Sequence, residues 1–408
     1  MGPPSHLVCQ SLGMIIWCQY RGQVDWAYMA GTVIVIGAGI IGAGTAFRLA
    51  QQGWQVTVLS QGIPAATSAS FGWINASFYL DDDHHRLRVE GIAAWHQLVS
   101  ETDIAVDWSG CLCWDMGPDE LTTTYETLVG HGYPVTRLTH RQIAERVPAL
   151  RNPPKTALFF PNEGAAASPD IPERLLAAAE SLGVRHLKNV LVEKVEYAED
   201  GRPEVLTSQG VFVADQIVIA AGTGTQALAK ALGARVPLSH RPAYILRTTP
   251  VAPMLPHVLA SPIGEIRQEP SGHLLMPTAV GHQGDASDRL SETPAEAASA
   301  AMGRLRGVLS GLDDVRWSEV TYAERPVPED GFPVLGYVAD RVYAACLHSG
   351  ITLGPIVAEL VASEISGKLD NAKAAMLAPY RPDRFQKTEE KRAAPKDGPI
   401  SLRAFRRP

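Results

Sequence analysis

Cysteine is scarce: the 408 residues hold five, Cys9, Cys18, Cys111, Cys113 and Cys346. Their number is odd and their spacing fits no zinc framework, so neither a disulfide scaffold nor a metal centre is expected. A reducing, cytoplasmic compartment is the simpler reading. Cys111-Leu-Cys113 is read as alternate faces of a strand rather than as a redox pair. An excess of basic residues is missing too. Lys and Arg total 36 against 43 Asp and Glu, a formal charge of −7, which disfavours nucleic acid as a partner. Long apolar runs are also absent. Met14-Ile-Ile-Trp-Cys18 is too short to span a membrane, and no small-residue cleavage signal follows it. Residues 1–28 are read as an extended gene start or a loose extra segment. Peripheral membrane association through another subunit is left open.

What is present is a sizeable hydrophobic fraction, 46%, enough for two globular domains or one bipartite fold. The most informative stretch is Thr32-Val-Ile-Val-Ile-Gly37-Ala-Gly39-Ile-Ile-Gly42-Ala-Gly44. A buried strand runs into glycines, Ala43 to Gln52 reads as a helix, and Gly53 ends it before a second strand. Gly37 permits the tight turn, Gly39 lets backbone approach a pyrophosphate, and Gly42 lets helix and strand pack closely. Phosphates would sit at the helix amino end, beside Ile40 and Ile41. The carboxylate expected where the second strand ends is missing: the chain reads Leu59-Ser60-Gln61. Ser60 can still bond a ribose hydroxyl, without charge assistance.

Thr67-Ser68-Ala-Ser70 opens a hydroxyl-rich segment able to close over a diphosphate. His84 to Thr102 reads as a helix with Leu87, Ile92, Trp95 and Leu98 on its apolar side, and His84, His85 and His96 on its surface. Thr139 with Gln142 resembles a helix cap. A buried strand through Ile217 ends in a turn at Ala221, Gly222 and Gly224. Residues 235–325 alternate like antiparallel strands, interrupted by a helix over 291–310, and Gly281 to Asp285 reads as a connecting loop. The last signature, His348-Ser-Gly350-Ile-Thr352-Leu-Gly354-Pro355, leads into an apolar helix. Residues 371–408 read as a disordered tail.

Taken in order, these motifs resemble the flavoprotein amine oxidoreductases of the D-amino-acid oxidase, glycine oxidase and sarcosine oxidase superfamily. The glycine motif, Thr67-Ser68-Ala-Ser70, Val218 to Gly222, Arg325-Pro326 with Asp330-Gly331-Phe-Pro333, and His348 to Leu353 carry the resemblance over about residues 30–370. It implies noncovalent FAD and an α/β fold: a Rossmann-like FAD-binding domain with a second α+β substrate domain built on an antiparallel sheet. The expected segments are 29–110, 155–235 and 325–370 for FAD, and 111–154 with 236–324 for substrate. Val192 would lie beside the adenine, and Gly350, Ile351, Thr352 and Leu353 near the flavin ring. Cys346 invites comparison with members that tether FAD through cysteine, but its strand position favours a buried thiol.

The resemblance gives Arg325 the substrate carboxylate, which suits a planar guanidinium; the alternative is an arginine in a surface turn with Glu324. Tyr244 either caps that carboxylate, shapes the pocket or is an ordinary sheet aromatic. His348 either orients water or substrate or simply packs. The implied reaction is oxidation of the carbon–nitrogen bond of a small D-amino acid or an N-substituted or cyclic one, with oxygen or another carrier as acceptor. The rival readings are a noncatalytic or electron-transfer flavoprotein subunit, and a dehydrogenase served by a quinone or protein. An oligomer is compatible with either.

Overall fold

A computed structural model describes residues 30–62, 65–281 and 287–386. The 1–28 segment, most of the expected 281–285 loop and residues 387–408 lie outside them. Strand β1 (Thr32–Ile36) leads into helix α1 (Ile40–Gln51), then β2 (Gln55–Leu59). The helix starts three residues earlier than the sequence suggests, directly after Gly39. In a six-stranded sheet β1 lies between β2 and Gln216–Ile219, and Arg185–Leu187 and Val342–Cys346 extend it in parallel. Only Val334–Ala339 at one edge runs antiparallel. Side chains of β1 alternate: Val33 and Val35 face the core shared with α1, while Ile34 and Ile36 face Val195 and Val205 of a three-stranded antiparallel layer. Covering on both faces is why the strand reads as an unbroken apolar run.

A second, eight-stranded sheet runs from Trp317–Glu324 through Pro242–Thr248, Leu274–Pro277, Gly264–Gln268, Val258–Ser261, Cys111–Cys113 and Thr156–Phe160 to Thr136–Thr139. It is antiparallel except where Val258–Ser261 pairs with Cys111–Cys113. Thr156–Phe160, expected among the FAD-binding segments, pairs with Cys111–Cys113 and Thr136–Thr139 in this sheet. The helix Pro294–Val308 buries Ala298, Ala301 and Leu305 with Leu246 and Met276 on one face. The other face, with Ile245 and Leu275, joins the main core.

Several expectations need correction. Cys111 and Cys113 share one face and Leu112 takes the other, because strand side chains repeat every two residues. Helix α2 (Asp82–Glu101) is present, but His84 and His85 are buried, 5% and 4% exposed. The final apolar helix begins at Gly350, not after Pro355, and contains that proline. Residues 371–386 are ordered: a helix Asn371–Leu377, capped by Asp370 on the Lys373 amide, is followed by turns at Ala378–Tyr380 and Pro382–Phe385. Buried Leu377 and Tyr380, with the Arg381–Glu364 and Arg384–Asp330 pairs, hold this segment down. Two apolar anchors and two ion pairs sufficed where charged composition hid them. No helix among the described residues is long and apolar enough to cross a membrane.

Candidate active site

One cavity of about 1640 Å³ runs along the carboxyl end of the six-stranded sheet and under the large one. Pockets for single small ligands span roughly 300–1,000 Å³, so this one has room for a dinucleotide and a further molecule. Its first wall is the glycine turn. Gly37 has φ +110° and a Cβ there would stand 2.2 Å from the Ala220 carbonyl; one at Gly42 would stand 2.0 Å from that of Gly37. The two glycines are therefore obligatory for the turn and for helix–strand packing. A Cβ at Gly39 would meet only the Thr67 hydroxyl at 3.2 Å and Ala65. The helix end has no side-chain cap at Gly39, and the Ile40 amide donates to Thr67 Oγ1 at 3.1 Å.

Gly37, Gly39, Ile40, Ile41, Ser60, Gln61, Thr67, Ser68, Ser70, Val192, Ala221 and Gly222 all line this space. Gly42 and Leu353 do not; Gly42 packs behind the turn and Leu353 is fully buried in the core. At the β2 end Ser60 Oγ lies 2.8 Å from His186 Nε2, and Lys188 also lines the wall. Burial, then the Lys188 charge, lowers the His186 pKa. A neutral Ser–His pair thus stands where the sequence reading found no carboxylate.

Arg325, 8% exposed, follows the edge strand Trp317–Glu324 and lines the cavity. Its Nε donates to the Arg241 carbonyl at 3.1 Å. Ala243 and Ile245 line the cavity while Tyr244 between them does not; alternation turns it to the other face, where it meets Tyr322 edge-on at 5.9 Å between centroids. Tyr322 itself reaches the cavity and is half exposed. His348, Ser349, Gly350, Ile351 and Thr352 form a further wall. Ser349 sits in the left-handed region at φ +58°, where strand turns sharply into helix, and its hydroxyl lies 3.2 Å from His348 Nδ1.

Sequence reasoning missed a buried polar cluster beside this wall. Glu163, wholly buried, accepts from Trp73 Nε1, the Ala76 and Ser77 amides and the Tyr133 hydroxyl at 2.9–3.1 Å. Burial pushes its pKa up to about 7, with those donors opposing. Arg88 on α2 donates to the Asn75 carbonyl and Oδ1, and both residues line the cavity. The signal for Arg88 was its spacing: four residues before Ile92 and seven before Trp95, it falls on the apolar stripe.

The description FAD dependent oxidoreductase belongs to a family model that matches residues 32–364. The chain belongs to that family. A glycine oxidase of Geobacillus kaustophilus is 28% identical over 85% of this chain and 95% of its own length. Among solved structures, that of glycine oxidase from Geobacillus kaustophilus superposes with a TM-score of 0.79 at 23% identity, covering 87% of this chain and 98% of the other. L-proline dehydrogenase from P. horikoshii gives 0.76 at 19% identity, covering 88% and 98%. These two likenesses concern the fold.

As an FAD dependent oxidoreductase the chain uses FAD, and its cavity fits that group. The bare face of Gly39 and the amino end of α1, whose cap residue brings no side chain of its own, suit the diphosphate. Ser60 and His186 lie where the βα logic puts a ribose. Cys346 also lines the cavity, but its thiol donates to the Gly222 carbonyl at 3.5 Å and burial pushes its pKa up to about 12. It stays a protonated thiol, which suits noncovalent binding.

Proposed function

We propose that this FAD-dependent oxidoreductase oxidises the carbon–nitrogen bond of a small amino acid, a D-amino acid or an N-substituted or cyclic one, and that Arg325 holds its carboxylate. The observation that carries this is a buried guanidinium lining the same cavity as the dinucleotide turn. A planar fork in a cleft binds a carboxylate bidentately and strongly. The glycine oxidase relative, by its name, acts on an amino acid of this size. When bound, FAD accepts a hydride from the substrate carbon at flavin N5.

The protein's part is orientation. Arg325 fixes one end of the substrate, Ala243 and Ile245 give an apolar wall, and Tyr322 stands at the exposed side. His348, bonded to Ser349, is the titratable group best placed to orient substrate or water. Fixing the reacting carbon against the acceptor converts an encounter into an intramolecular step. The imine product is released and hydrolysed. Three described cysteines, all buried free thiols, support a cytoplasmic setting.

Anaerobic mixing with D-amino acids, sarcosine, glycine and D-proline tests the reading. At least one should bleach the flavin; a panel that leaves the absorbance unchanged overturns it. Rapid dye reduction with slow oxygen consumption would assign a quinone or protein acceptor.

A further inference from the structure

Arg88 is 2% exposed, yet it lines the cavity, and among the described residues no carboxylate lies within ion-pairing distance of it. Burial lowers its pKa only to about 10, so it is a cation at neutral pH. A buried charge without a counter-ion is costly. The nearby acid, Glu163, is already engaged by four donors. What Arg88 does bond is Asn75: Nε donates to its carbonyl at 3.1 Å and Nη2 to its Oδ1 at 2.7 Å.

That contact sets the orientation of Asn75. A guanidinium only donates, so the amide oxygen must face Arg88 and the NH2 must point away. Asn75 is 1% exposed and lines the cavity, and its NH2 has no partner among the described residues. Its backbone amide donates to Thr352 Oγ1 at 3.2 Å, tying it to the His348–Thr352 wall. With ribose at Ser60 and diphosphate over Gly39, the remaining half of the dinucleotide would run along the cavity to the His348–Thr352 wall, to which Asn75 is tied.

We propose that Asn75 donates its amide N–H to the bound flavin ring, and that Arg88 behind it stabilises the negative charge this ring gains on reduction. The inference rests on the cofactor placement above. The charge balance is simple: a hydride, two electrons with one proton, leaves the carbon of the neutral amine for N5, the substrate departs as its iminium cation, which gives a proton to water as it becomes the imine, and the ring keeps one negative charge. A donor backed by an unpaired cation favours that charged form.

Sulfite tests this without any substrate, because it adds to N5 and leaves the ring negative. Asn75→Asp is nearly isosteric and pairs with Arg88, cancelling its charge and replacing a donor by an acceptor. At full FAD occupancy it should weaken sulfite binding about tenfold or more and lower the two-electron midpoint potential by about 30 mV or more, the same factor expressed as a potential. Asn75→Ala, which leaves Arg88 its bond to the backbone carbonyl, should shift both the same way by less, and it is decisive if Asn75→Asp purifies without flavin. Changes under twofold in the flavin-bearing variants overturn the proposal. Failure of every amino acid to reduce the flavin would overturn the substrate reading but leave this measurement intact.

Discussion

The indole of Trp95 donates to the Ile351 carbonyl at 2.7 Å, the acceptor that Pro355, four residues on and lacking an N–H, cannot serve. Helix α2 thus completes the hydrogen bonding of the helix that walls the cavity. Trp95→Phe keeps the ring in a fully buried site but orphans that carbonyl. An unsatisfied buried acceptor costs about 1–3 kcal/mol. Urea unfolding of the flavin-loaded protein should show a lowered midpoint with unchanged slope; an unaltered midpoint removes the bond from the stability of the site.

Gly39 and Gly42 should respond differently to substitution. Gly39→Val meets little besides the Thr67 hydroxyl, so the fold should survive while the branched side chain occupies the diphosphate's space. The purified variant should be colourless. Gly42→Ala drives a methyl into the Gly37 carbonyl, so destabilisation should precede any loss of flavin. The ratio of flavin absorbance to protein and the melting temperature separate the two; a Gly39→Val protein with full flavin refutes the assignment.

Arg325→Lys keeps the charge and discards the fork. Losing a desolvated charge-assisted contact costs about 2–5 kcal/mol, roughly thirtyfold in affinity at the lower end. Flavin content should stay normal. Reduction of the flavin over a concentration series should saturate much later, and amines without a carboxylate should hardly notice the change. Identical saturation and limiting rate would return Arg325 to a structural role.

His84 makes stability depend on pH. Burial first, then the Arg88 charge, hold its pKa well below 6.5. Below about that pH the unfolded chain binds a proton that the native state refuses, so stability falls as pH falls. Glu163 acts oppositely: with its pKa raised from 4.5 to about 7, the native state holds the extra proton between those values and stability falls as pH rises. The informative quantity is therefore a difference. His84→Gln, which keeps an acceptor for the Leu80 amide, should lose less melting temperature than the parent between about pH 7 and pH 5; parallel losses would contradict the linkage.

The amino-acid sequence by itself determined the dinucleotide turn, because β1, Gly37, Gly39 and Gly42 act on one another within a dozen residues through backbone sterics. It also carried the strands through Ile217 and Val342 and the cap of Thr139 by Gln142, whose amide oxygen accepts from the Thr139 N–H at 2.9 Å. All of these are short-range. Tertiary structure decided what depends on contacts across the chain. Tyr244 was legible as a strand residue, yet which face it took followed from register with Tyr322. Leu353 belongs to a motif beside the cavity but turns into the core with its helix. His84 and His85 read as polar surface until α2 was laid against the Gly350–Ile365 helix, and the segment after Asp370 read as tail until Tyr380 found its pocket. In each case the deciding free energy is burial against a partner tens to hundreds of residues away, and burial of that kind leaves no local pattern to read.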